Sequence, residues 1–103
     1  MERRNEFRKH ECLVVTIFGR DAQGVCFSQK VTASSLSQSG ALLSGITRNI
    51  RPGDLIMVEH CGTKSRFKVI WVRDSESHSL MQAAIHLVET EISPWSEQLH
   101  GQD

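Results

Sequence analysis

With 103 residues and a mass of 11.6 kDa, the chain has room for one hydrophobic core and none for a second. Hydrophobic residues make up 39% and charged residues 23%, inside the globular range and outside the disordered one. Twelve basic residues balance twelve acidic ones, which argues against a DNA or RNA partner held by a strongly basic surface. Ordering a chain of this size costs roughly 100–200 kcal/mol of conformational entropy, so nearly every apolar run is needed for the core and little is left for an elaborate catalytic cleft.

Charge is unevenly placed along the chain. Residues 1–73 hold all twelve basic residues and six acidic ones, whereas 74–103 hold the other six acidic residues and no Lys or Arg. Two arrangements fit this asymmetry: an acidic tail folded back on a basic body, or a basic site left open for an anionic ligand. Cys12, Cys26 and Cys61 are odd in number and form no C-x-x-C pair, so a disulfide framework is not expected and buried structural thiols in a reducing compartment are. The charged stretch Met1 to His10 is not followed by an apolar run, and no window approaches 18 apolar residues. The expectation is a soluble, cytoplasmic domain without membrane insertion.

In chain order, Leu13, Val15 and Ile17 alternate with Val14, Thr16 and Phe18, which predicts a strand covered on both faces. Arg20 to Gly24 supplies turn residues before Val25, Phe27, Val31 and Ala33 resume a period of two, so a hairpin is expected. A Ser-rich connection from Ser34 to Gly40 leads to a short strand at Ala41-Leu42-Leu43, closed by Ser44 and Gly45. Arg51-Pro52-Gly53-Asp54 is a turn signal, Leu55 to Val58 a strand, Cys61-Gly62-Thr63 another turn, and Phe67, Val69 and Trp71 the inner face of the next strand. Leu80 to Val88 fits either a helix (Leu80, Ala84, Leu87) or a strand (Ala83, Ile85, Leu87). Five or six short runs separated by turns predict an all-β antiparallel barrel or sandwich.

Enzyme templates find no support. Gly40-Ala-Leu-Leu-Ser-Gly45 has phosphate-loop glycine spacing but continues into Ile46-Thr47 where a Lys-Ser/Thr pair is required. No G-x-S-x-G elbow and no H-E-x-x-H occurs, and the five histidines are too scattered to nominate a triad or a metal site. Neither catalysis, a metal nor a cofactor is expected.

Two clusters carry more information. Arg4 and Arg8 stand four apart ahead of the first strand, roughly 13 Å apart on one side of an extended segment or on one face of a helical turn. Guanidinium forks pair bidentately with phosphate oxygens and with the O6/N7 edge of guanine, so the pair suits an anionic guanine nucleotide; a solvated terminus is the plain alternative. Ser35-Leu-Ser37-Gln-Ser-Gly40 is a hydroxyl-rich loop whose glycine permits positive φ or close backbone approach; the plain alternative is a strand connection with Gly40 at a bulge. Trp71 is expected in the core, and Trp95, beyond Pro94, either caps a barrel end or anchors a partner.

In this order the residues resemble a PilZ domain, the bacterial β-barrel module known as a receptor for cyclic di-GMP. The family carries R-x-x-x-R in an N-terminal arm, matched by Arg4-Asn-Glu-Phe-Arg8, and D/N-x-S-x-x-G after the second strand, matched by Ser35-Leu-Ser37-Gln-Ser-Gly40 except at its first position. The likeness extends over the Thr16 to Phe27 hairpin, Gly40 to Leu43, Pro52 to Leu55 and Val69 to Val72, spanning about Arg3 to Val88. A glycine frequent at the start of the family's last strand is replaced by Ala83 and Ala84.

The resemblance implies a six-stranded antiparallel barrel over residues 11–90, with 80–88 as its sixth strand. A flexible arginine-bearing arm would occupy 1–10 and a short C-terminal helix or tail 91–103. It implies that Arg4 and Arg8 grip cyclic di-GMP against a wall formed by Ser35, Ser37 and Gly40, and that binding is relayed to a protein partner. A neutral hydroxyl at Ser35 in place of a carboxylate gives up about 1–2 kcal/mol, on the order of 5- to 30-fold in affinity. The alternative implied by Ser35 and the Ala83-Ala84 pair is a degenerate PilZ-like domain that binds no nucleotide and serves as an interaction or structural module.

Overall fold

The computed structural model describes residues 11–74 and 80–96. Six strands form one closed barrel: β1 (Leu13–Arg20), β2 (Cys26–Ser34), β3 (Gly40–Ile46), β4 (Leu55–His60), β5 (Thr63–Asp74) and β6 (Met81–Leu87). The order around the barrel is β1-β2-β3-β6-β5-β4, with every neighbour antiparallel, and β1 pairing with β4 closes it. The expected six-stranded barrel is therefore the fold. The strand reading of Leu80 to Val88 holds, with Ala83 and Ile85 inside at a spacing of two.

A closed barrel buries one face of each strand and leaves the other to solvent. Val15 and Ile17 of β1, Phe27, Val31 and Ala33 of β2, and Val58, Phe67 and Val69 across the interior make up much of the core. The outer face of β1 is not covered as expected, since Val14 is 67% exposed: there the β-branched side chain favours strand backbone without gaining burial. Val25 likewise lies exposed in the β1–β2 turn instead of continuing the inner face.

Two bulges break the regular pairing. In β3 the register against β6 shifts between Ser44 and Ile46, and Gly45 takes φ +89, a conformation that favours glycine. Gln29 of β2, half-buried, serves the displaced backbone: its amide donates to the Gly45 carbonyl at 2.7 Å and its oxygen accepts the Thr47 N–H at 3.2 Å. In β5 the register shifts between Val69 and Trp71. The extra residue rotates the chain, so Ile70 and Trp71 are both exposed and Val72 turns back toward the core. Trp71 is therefore an outer-face residue, correcting the expectation that it fills the core.

The two-residue turn Cys61-Gly62, with φ +51 and +84, joins β4 to β5 in the conformation that matches strand twist. All three cysteines are exposed, contrary to the expected buried thiols. Cys12 precedes β1, Cys26 stands at the outward first position of β2 and Cys61 at a turn tip, none of them an inward strand position.

Beyond β6 the chain returns over the barrel end. The Arg66 N–H donates to Glu91 Oε1 at 2.9 Å, the Ser65 hydroxyl donates to the Ile92 carbonyl, and Trp95 is fully buried with its ring 5.3 Å from that of Phe67. Of the two readings of Trp95, the barrel cap is the observed one, and Glu91 with Arg66 forms one contact between the acidic third and the basic body. The stretch in which the expected tail helix would continue, 97–103, lies outside the described residues.

Trp95→Ala is expected to cost about 3–5 kcal/mol in urea unfolding, the usual effect of removing a large buried aromatic side chain. The backbone and side-chain hydrogen bonds from Arg66 hold the Glu91 carboxyl below its ordinary value of 4.5. Its contribution to stability is thus present above that value and lost as pH falls through the lower folded one. Acid unfolding followed by tryptophan fluorescence should therefore begin at higher pH in Glu91→Ala than in the wild type.

Candidate functional site

Antiparallel pairing determines which loops share a barrel end. Leu13 opposes Ala33, Gly40 opposes His86, and His60 opposes Thr63. The entry into β1, the serine loop after β2, the Cys61-Gly62 turn and the exit from β6 therefore lie together, and Trp95 closes this end from within.

The serine loop folds by local rules. Ser35 takes φ +52, in the left-handed region where Asn and Asp are tolerated better than other L-residues. Leu36 is fully buried and anchors the loop. Ser37 is also fully buried: its N–H donates to the Gly40 carbonyl at 3.0 Å, its hydroxyl to the same oxygen at 3.4 Å, and its own carbonyl accepts the Trp95 indole N–H at 2.8 Å. The Leu87 N–H donates to the Ser39 carbonyl at 2.6 Å, fastening the loop to the end of β6.

Gly40 is required for space. A Cβ at this position would stand 2.5 Å from the Ile85 carbonyl oxygen, so only glycine lets β3 and β6 approach this closely. The bulge considered for Gly40 occurs five residues later, at Gly45.

A cleft of about 400 Å³ runs from the loop down the outer face of β3, β6 and β5, lined among others by Ser35, Ser39, Gly40, Trp71 and His86. The Arg73 guanidinium lies over the Trp71 ring at 4.9 Å from its centroid. The cleft thus offers hydroxyl and backbone hydrogen-bonding groups at the rim, an imidazole, and an indole bearing a cation. That combination suits a planar heteroaromatic group joined to polar or anionic substituents.

Of the residues nominated from sequence, Ser35 and Gly40 line this cleft, while Ser37 lies beneath it with its hydroxyl turned to the Gly40 carbonyl. Arg4 and Arg8 lie outside the described residues. Trp71 and His86 are cleft residues that sequence reasoning missed. A signal for Trp71 exists in the run Ile70-Trp71-Val72, since consecutive bulky apolar residues cannot all point inward on a strand of period two. His86 carries no comparable signal.

Elsewhere, Cys61 Sγ lies 3.4 Å from His60 Nε2. Among the described residues no three His, Cys, Asp or Glu side chains gather into a metal-binding group, and no helix is long and apolar enough to cross a membrane. The fold and cleft define a small closed antiparallel barrel with a hydroxyl-rimmed, tryptophan-lined groove at one end. Comparison of the chain with protein-family models, with curated proteins and with solved structures finds no match in any of the three.

Two substitutions test this local account. Gly40→Ala must push β6 away from β3 and is expected to destabilise the barrel by about 1–3 kcal/mol in urea unfolding, as overpacking does. Ser35→Asn relieves the left-handed backbone and is expected to stabilise by up to about 1 kcal/mol, roughly 4–8 °C in the calorimetric midpoint of a domain this small.

Proposed function

We propose that the chain is a non-enzymatic, cytoplasmic binding module of PilZ type that takes cyclic di-GMP at the serine-loop end of the barrel and relays its occupancy to a protein partner. The observation that carries this reading is the register Leu13–Ala33, which makes the chain enter β1 beside the loop holding Ser35 and Gly40. Arg8 precedes Leu13 by five residues and Arg4 by nine, so covalent geometry allows spans of up to roughly 17 and 30 Å. Both guanidinium groups are thereby within tether range of this end of the barrel.

In this reading Arg4 and Arg8 pair with phosphate oxygens and guanine edges, and Ser35 and Gly40 contribute hydroxyl and backbone contacts at the rim. The Trp71 ring and the Arg73 guanidinium over it supply a stacked pair against which a purine packs, a contact of about 1–3 kcal/mol. Ser37 acts indirectly by holding the loop through Gly40. The nucleotide draws the arm against the barrel and changes the surface presented to a partner.

A second reading, a degenerate barrel that binds no nucleotide and acts as an interaction module, is favoured by a specific observation. The Ser37 hydroxyl is already engaged within the loop and Ser35 lacks a carboxylate, so folding alone accounts for the serine and glycine spacing.

Calorimetric titration with cyclic di-GMP at low salt separates the two. The sensor reading expects micromolar binding that Arg4→Ala or Arg8→Ala abolishes, Trp71→Ala weakens roughly tenfold or more, and Ser35→Asp strengthens on the order of 5- to 30-fold. Absence of heat with a folded sample refutes it and leaves the degenerate reading, whereas binding with unchanged affinity in both arginine variants refutes the assignment of the site to Arg4 and Arg8.

A further inference from the structure

The opposite end of the barrel carries a second opening. β1 pairs with β2 from Leu13 to Arg20, but with β4 only at Thr16–Glu59, Ile17–Val58 and Phe18–Met57. Beyond Phe18 and Met57 the seam parts. Arg20 has a ladder partner on one side, Cys26, and Leu55 on one side, Lys68. Gly19 keeps the base of the seam closed, since a Cβ there would stand 3.2 Å from Ile56 Cγ2. Above that base lies a cleft of about 570 Å³ whose lining includes Phe18, Leu55 and Met57, with Leu55 59% exposed.

The apolar patch has a basic surround. Arg20, Lys64 and Lys68 are exposed strand residues in the registers flanking it, and Lys64 Nζ lies 4.9 Å from the centroid of the Phe18 ring. Lys30 lies exposed opposite Thr16, and Arg66 lines the cleft while contacting Glu91. Glu59, opposite Lys64, is the one carboxylate on these strands in the same registers, and Asp54, whose carboxylate accepts the Arg51 N–H at 2.9 Å, also lines the cleft.

We infer that this seam docks an extended, acidic and apolar segment of a partner protein. Laid across the outer face, such a segment turns one row of apolar side chains down onto Phe18, Leu55 and Met57, and the long Arg20, Lys64 and Lys68 side chains on the same face reach up to the carboxylates of its other row. A flat anionic surface would meet the charges without filling the cleft. The docking site lies at the barrel end opposite the serine loop and stands independently of the nucleotide reading.

The test uses the full chain without nucleotide and a fluorescein-labelled peptide, acetyl-Asp-Val-Glu-Leu-Asp-Val-Glu-Leu-amide, followed by anisotropy. The expected result is saturable binding that weakens as salt rises. It should fall at least tenfold in the double variant Arg20→Glu/Lys68→Glu and in Leu55→Asp, both at exposed positions, and stay unchanged in Arg4→Ala/Arg8→Ala. Absence of binding, equal binding of the counterpart with Lys at each acidic position, or retained affinity in both seam variants overturns the inference. Preference for phosphatidylglycerol vesicles or single-stranded DNA over the peptide overturns it as well. Because no nucleotide is present, failure here is distinct from failure of the cyclic di-GMP titration.

Discussion

One hydrogen bond ties the segment after β6 to the loop after β2: the Trp95 indole N–H donating to the Ser37 carbonyl at 2.8 Å. A buried indole needs an acceptor, and the backbone of a buried serine needs a donor. Each meets the other's requirement across 58 residues of sequence. The same serine donates twice to the Gly40 carbonyl, so the loop conformation, the start of β3 and the cap of the barrel form a single unit. The groove rim is consequently built on a buried scaffold, and Ser35 and Ser39 stand on a loop whose middle is anchored by Leu36 and Ser37.

The irregular positions of the sheet are where surface chemistry arises. A regular β5 would send Trp71 inward with Phe67 and Val69; the one-residue shift after Val69 turns it onto the outer face beside Ala84 and into the groove. The bulge at Gly45 is completed by Gln29, a polar side chain at an inward register whose two amide ends bond to backbone of the bulge and the residues after it. The early end of the β1–β4 ladder produces the seam cleft. Bulges and truncated pairing bend strands and re-aim side chains in this way, whereas the regular stretches supply only core and solvent faces.

This division explains what could be read from the chain alone. Alternation in β1, β2 and the first part of β5, the apolar run of β4, and turn residues at Gly24, Gly53 and Gly62 make the antiparallel barrel legible, because a period of two and positive-φ glycines are local signals. The run Ile70-Trp71-Val72 signals that at least one of the three turns outward, but which of them do so is decided by the shift after Val69, and that depends on pairing with β6. Cysteine burial followed a general preference for the interior that positions at strand ends and turn tips override. Ser35 and Gly40 were found through spacing, but the reasons for them are different: a left-handed φ at one and a 2.5 Å approach of the Ile85 carbonyl at the other. Ser37 belongs to the same spacing and turns out to support the loop from beneath.

The uneven charge distribution also takes on a spatial meaning. The acidic third returns to the basic body through Glu91 and Arg66, yet the neighbouring Lys64 and Lys68 project from the outward face of β5 on either side of that contact. Arg20 from the end of β1 and Arg66 from β5 line one seam together with Asp54, and Lys64 and Lys68 flank it, although net charge over the chain is zero. Like charges brought within reach of one another across a barrel raise the energy of the empty surface and make it favourable for an anionic group to settle among them. β1 begins at the serine-loop end and finishes at this seam, roughly 24 Å away along a single strand. β5 contributes Trp71 to the groove and Arg66 to the seam cleft, so a short barrel has room for two openings of different chemistry that share a strand without sharing a lining residue.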